Sequence, residues 1–228
     1  MILIAPRSLQ IPAFHSLHQE GIFFVAVGIS STDPDDAEIP CQDTDNRQGG
    51  RDVALHFLGL GHRNIALVTA ATTIKNFNDR QQGFLHAFAE AGLVLDPSNV
   101  ASIPEQYADR YEEFMNDWLT RAIAGGTVPT AIFVGDYPMT LTMLRVLRRN
   151  GLRVPEDVSV VGYDDPISAE HLTPSLTTVR QPVYQMGRRA AERLLAGIRG
   201  GELPRGSELL PTELIVREST GRAPAARP

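Results

Sequence analysis

Three short stretches place polar side chains where a strand or helix should end. Arg80-Gln81-Gln82-Gly83-Phe84 opens a helical pattern with an arginine. A guanidinium presents a planar fork of donors that suits hydroxyl or carboxylate oxygens, although a solvated surface arginine is the commoner source of such a pattern. Val158–Asp165 reads as a buried strand ending in Gly162-Tyr163 and two carboxylates. Asp164 could accept hydrogen bonds from vicinal hydroxyls, as sugar recognition requires, or cap the short segment after Pro166. In Leu176–Pro182, Thr177, Thr178 and Val179 are good strand formers, Pro182 suits the first turn of a helix, and Gln181 offers donor and acceptor groups at the junction.

Reaction chemistry finds no footing. Gly59-Leu60-Gly61 ends a helical pattern instead of following a strand, so it reads as a helix stop and not a dinucleotide loop. Walker A, Gly-x-Ser-x-Gly and His-Glu-x-x-His patterns are absent from the sequence. His15 and His18 have metal-compatible helical spacing but no third ligand nearby. Phe114 and Trp118, four apart, fit a core face, and Asp35-Asp36 a solvated loop. The expectation is a binding protein that is not an enzyme and needs neither metal nor cofactor.

These stretches belong to a chain of 228 residues, 43% hydrophobic and 21% charged, with a formal net charge of −6. That acidic balance argues against autonomous nucleic-acid binding. The single cysteine, Cys41, excludes an internal disulfide. The opening Met1–Pro6 lacks a basic region and is too short for a signal peptide, so a cytoplasmic location is expected. Strands are expected at Ile2–Ala5, Ile22–Val27, Asn64–Val68, Thr130–Val134, Val158–Gly162 and Leu176–Val179. Helices are expected at Arg47–Leu60, Arg80–Ala91, Tyr107–Ala124, Met139–Arg149 and Val183–Ile198, with Gly49-Gly50 early in the first. Ser207–Arg217 reads as one extended strand and Gly221–Pro228 as a frayed tail. The alternation predicts a doubly wound α/β fold, with ligands beyond the carboxyl ends of the strands.

Leu58–Ala66, Gly151–Asp165 and Leu176–Pro182 together resemble the effector-binding domain of LacI/GalR-type transcription regulators, in that family's order and spacing. The resemblance covers roughly residues 2–220. It implies two Rossmann-like subdomains of the periplasmic-binding-protein type closing on a small polar ligand, often a sugar. The first would comprise 1–45 plus 178–205 and would be incomplete; the second would comprise 46–177 plus 206–220. It implies ligand contacts from Arg80, Asp164 and Gln181, lining one cleft. Tyr107 would supply the aromatic of the loop after strand 99–103, and Asp136 would follow the strand at 130–134. Family members often carry Asn-Asp where this chain has Gly135-Asp136, and Asp where it has Gly28, which argues against simple pyranose specificity. The resemblance also implies a homodimer through Met139–Arg149 and Ala169–Leu172, with Thr140, Leu141, Leu144 and Leu172 at the interface. A helix-turn-helix headpiece and two strand–helix units would precede Met1. The chain is therefore expected not to bind operator DNA alone, to have an exposed sheet edge, and to show low solubility or partner-dependent folding. The competing function is a solute-binding protein of a sugar transporter.

Overall fold

Alternating burial builds the larger sheet from both faces. The computed structural model describes residues 1–4, 11–29, 38–70, 75–104, 107 and 110–224, without the side chains of Ile11 and Pro12. Asp35-Asp36 therefore lies outside the described residues. The strands are β1 (Ile2–Ile4), β2 (Val25–Val27), β3 (Cys41–Thr44), β4 (Ile65–Ala70), β5 (Val100–Ile103), β6 (Ala131–Val134), β7 (Ser159–Tyr163), β8 (Thr177–Arg180), β9 (Ser207–Leu210) and β10 (Glu213–Ile215). The helices are α1 (Ile11–Gln19), α2 (Asn46–Gly59), α3 (Lys75–Glu90), α4 (Tyr111–Ala124), α5 (Tyr137–Arg149) and α6 (Val183–Gly200).

Two compact units result: Met1–Asn46 with Thr73–Asn76 and Gln181–Thr212, and Arg47–Thr72 with Phe77–Arg180 and Glu213–Pro228. The second holds the six-stranded sheet β10-β8-β7-β6-β4-β5, parallel except for β10. Ala66 and Val68 of β4, Ile132 and Val134 of β6, and Val160 of β7 pack toward Met115 and Leu119 of α4 and Met139 and Met143 of α5. Their neighbours Ile65, Leu67, Ala131, Phe133, Val161 and Tyr163 face Val53 and Phe57 of α2 and Phe84 and Phe88 of α3. Adjacent strand residues thus serve opposite faces, the period-two pattern of a sheet covered on both sides. The first unit holds the all-parallel sheet β1-β2-β3-β9. Phe14 of α1 packs with Phe24 and Ala26 on one face, and Met186 and Ala190 of α6 with Val25 and Val27 on the other. β1 stands at the edge, with Ile4 78% exposed.

Several boundaries differ from expectation. The extended run at 207–217 is two strands in two sheets: β9 pairs with β3 and β10 with β8, separated by Pro211-Thr212. Residues 207–210 therefore belong with the first unit. The chain leaves the larger sheet after Arg180, because β8 pairs along its length with β7 or β10. Helix α3 begins at Lys75, so Arg80 lies in its second turn and is only 6% exposed. The tail is not frayed through Ala223: Gly221 N–H donates to Ser159 Oγ at 3.0 Å and Ala223 N–H to the Leu60 carbonyl at 3.0 Å.

Glycines set the approach of α2 to α3. A Cβ at Gly50 would lie 2.0 Å from the Arg80 carbonyl oxygen, and one at Gly83 would lie 1.9 Å from that of Arg47. Each glycine makes room for the backbone of the opposite helix. Gly50→Ala and Gly83→Ala are each expected to cost about 1–3 kcal/mol, because backbone must move. Gly187→Ala on α6, where a Cβ meets no described atom within 4 Å, should gain about 0.5–1 kcal/mol from helix propensity. Denaturant midpoints measure all three.

Two histidines grip the returning C-terminal segment. His62 Nε2 lies 3.0 Å from the Gly221 carbonyl and so carries the proton, and Nδ1 lies 2.9 Å from Thr130 Oγ1. His56 Nε2 lies 3.1 Å from Thr220 Oγ1. Burial lowers both pKa values from 6.5, helped at His56 by the neighbouring His62 and opposed at His62 by the Gly221 bond. The unfolded chain then binds more protons below pH 6.5, so stability falls as pH drops through that value toward the lower folded values. Thermal melts should show a lower midpoint at about pH 5.5 than at about pH 7.5, and His62→Gln should flatten that dependence.

Candidate functional site

In the second unit, the carboxyl ends of β6 and β7 meet at one buried cation. The Arg80 guanidinium lies over the Tyr163 ring, 3.6 Å from its centroid, and 5.4 Å from the Phe77 ring centroid. Its Nη1 donates to the Gly135 carbonyl at 2.6 Å, just past the end of β6. Stacking on a desolvated aromatic is worth about 2 kcal/mol, a partial offset to removing the charge from water. Gly49 completes the arrangement: a Cβ there would meet the Tyr163 hydroxyl at 2.5 Å, so its absence lets the ring lie under Arg80. The early Gly49-Gly50 pair therefore marks two close contacts, one with the Tyr163 side chain and one with the α3 backbone.

Two carboxylates stand beside this cation. Asp136 caps α5, its Oδ1 accepting from Met139 N–H at 2.7 Å. Burial raises its pKa, the Met139 bond opposes that, the Asp164 charge raises it further and the Arg80 charge lowers it. Asp164 follows β7 with a φ of 70°, the sole non-glycine residue with positive φ among those described. It is not the cap of the turn after it: Pro166 holds that position at the 3₁₀ turn Ile167–His171, with no side-chain cap bond. Arg80, Asp136 and Asp164 are thus brought together. Carboxylate oxygens accept hydrogen bonds, so the pair offers acceptors to hydroxyl donors.

Tyr107 is engaged elsewhere. Its ring packs on Phe114 at 5.6 Å between centroids, with Arg110 5.1 Å from its ring. Among the described contacts, none links it to the three charged groups. Thr69 escaped sequence reasoning: on β4 its hydroxyl is buried without a hydrogen-bond partner, and a Cβ at Gly135 would lie 3.0 Å from it. A threonine inside an apolar strand run carries no signal of that placement.

Gln181 belongs to the first unit, where its Oε1 accepts from the Thr44 hydroxyl at 2.8 Å. Asp43, fully buried at the end of β3, accepts from Thr44 N–H at 2.8 Å. β3 was missing from the expected strands because Cys41-Gln42-Asp43-Thr44 is polar yet wholly buried.

On the second unit a groove of about 560 Å³ runs along α5 and is lined by Leu141, Leu144, Leu152, Val154, Leu172 and Pro174 among others. Leu141 is 39% exposed, whereas Thr140 is fully buried. Its hydroxyl donates to the Asp136 carbonyl at 2.5 Å, and it packs against Gly162. Thr140 therefore cannot face a partner, and its expected interface role is corrected to an internal one. His15 and His18 lie on α1; among the described residues no group of three or more His, Cys, Asp or Glu could hold a metal, and no helix is long and apolar enough to cross a membrane.

Residues 54–220 match the family model of the periplasmic binding protein-like domain. The HTH-type transcriptional regulator CelR of Thermobifida fusca is 36% identical over 91% of this chain and 59% of its own length. The HTH-type transcriptional repressor CytR of Escherichia coli (strain K12) is 31% identical over 82% of this chain and 53% of its own. The chain thus spans little more than half the length of these curated relatives. Among solved structures, a complex of the transcriptional regulator CelR with cellobiose superposes with a TM-score of 0.82 at 35% identity, covering 96% of this chain and 64% of that one. A LacI-family regulatory protein from Chloroflexus aggregans gives 0.82 at 29%, covering 96% and 76%.

Proposed function

The chain belongs to the periplasmic binding protein-like family found in LacI-type transcriptional regulators, and on that premise we propose that it is the effector-sensing part of such a regulator. It binds a small carbohydrate and is not an enzyme, and its place is the cytoplasm. DNA contact would be made by a headpiece outside this chain. The single observation that carries the ligand class is the Arg80, Asp136 and Asp164 group. Two carboxylates and one stacked guanidinium at strand ends favour a neutral polyol whose hydroxyls donate to both acids. That the curated relatives are regulators favours this reading over a transporter's solute-binding protein.

Cellobiose is the first sugar to test, because it is bound in the complex of the similar CelR. A ligand at a hundredfold excess over its Kd should stabilise the chain by about 2.7 kcal/mol. Thermal melts with cellobiose and a panel of mono- and disaccharides read this directly. Arg80→Met should abolish the shift or weaken binding by at least roughly tenfold. A flat response to every sugar, with the folded chain confirmed by a cooperative melt, sinks the carbohydrate reading.

The α5 groove is proposed as the homodimer surface, with Leu141, Leu144 and Leu172 at its centre. Arg145, Arg148, Arg153 and Glu156 line it too, so charged groups accompany the apolar ones. Self-complementary pairing is the expected symmetry. Sedimentation should show a dimer for the chain and a monomer for Leu141→Glu. Equal mass for both proteins would remove this surface from consideration.

A further inference from the structure

We infer that Asp165, Arg180 and Arg217 form a clamp that positions the Asp164 carboxylate for effector; the inference rests on the reading of Asp164 as an effector contact. A left-handed backbone costs an aspartate free energy and persists only where its surroundings enforce it. Glycine would adopt the φ of 70° at Asp164 without that cost, so the position keeps a carboxylate against its backbone preference.

The enforcing contacts lie on both sides of the turn. The Asp165 side chain is 3% exposed and takes a two-pronged hydrogen bond from Arg217, Nη1 at 2.7 Å and Nη2 at 3.1 Å. Arg180 adds Nε at 2.9 Å and Nη2 at 2.7 Å to the same carboxylate. Arg217 Nη1 also donates to the Leu176 carbonyl at 2.7 Å, which ties the clamp to the approach to β8. Before the turn, Tyr163 is fully buried beneath Arg80, and the Asp164 carbonyl accepts from the Thr178 hydroxyl at 2.6 Å. The peptide flanks of Asp164 are therefore fixed at the ring, at the carbonyl and at the following carboxylate. Burial alone would push the Asp165 pKa up, but the bonds from Arg217 and Arg180 bring it below the usual value, consistent with an ionised anchor. Arg217 comes from the segment after β10, about fifty residues beyond the turn it holds.

Arg217 and Arg180 are positioning residues, and the test separates that role from bulk stability. Arg217→Met is made in the 228-residue chain, with Arg217→Lys as the conservative partner and Asp165→Asn as a second route should Arg217→Met fail to fold. Asp164 φ is read from its HN–Hα coupling and from a crystal structure, and affinity from titration with cellobiose. Arg217→Met or Asp165→Asn should melt cooperatively, release Asp164 from the left-handed region, and weaken cellobiose binding roughly tenfold. Arg217→Lys should recover only part of that, since an ammonium cannot supply the fork. In an Asp164→Asn background the same changes should add no further loss, because they act through that carboxylate. An Asp164 that keeps its φ and place in the variants, or losses that simply add, would overturn the clamp. Should the unsubstituted chain not bind cellobiose, the choice of effector is what fails, and the Asp164 conformation in the variants still decides this inference.

Discussion

A guanidinium with 6% of its residue surface exposed is the constraint around which the second unit is arranged. Water is largely replaced at Arg80 by the Tyr163 ring, the Gly135 carbonyl and the nearby charge of Asp136. Each replacement imposes a demand one layer further out. The ring needs Gly49 to lack a side chain, the carbonyl needs β6 to end where it does, and Asp136 must also cap the start of α5. A buried charge with these partners is costly to disturb, since loss of one leaves the others unmatched. The same logic explains why the polar groups of this region sit at strand ends, where backbone and side chains diverge enough to leave room for a ligand.

The two carboxylates near Arg80 differ in how they are held. Asp136 is fixed by a helix start and lies in surroundings that disfavour its charge. Asp164 is fixed by backbone geometry, with its neighbour Asp165 pinned by two arginines. The Asp164 charge raises the Asp136 pKa, so the two carboxylates are coupled although they are held by different means.

Most of the sheet framework was legible because its signals are local. The runs at 64–68, 130–134 and 158–162 are mostly apolar, as strands covered on both faces favour. β3 was not legible, since Cys41-Gln42-Asp43-Thr44 is polar and its burial depends on partners far along the chain. The split of 207–217 between two sheets was hidden for a related reason: Pro211-Thr212 reads as a mild interruption, and only long-range pairing shows that the chain changes sheets there. Arg80 and Asp164 were found from their places in the pattern, but the burial of one and the strained backbone of the other were not, because both arise from contacts between elements. Thr140 misled because an apolar-looking helix face holds both a surface row and a core row, and threonine fits either.

The reciprocal contact at Gly50 and Gly83 ties sequence variation on one helix to that on the other. A search that changes one position at a time would score both as intolerant, because each substitution meets unaltered backbone across the crossing. Tolerance can come only from a concerted change that spreads the helices, and that change moves the backbone of Arg80 with it. Lineages or libraries drifting at this crossing would therefore change helix packing and the placement of Arg80 in the same step.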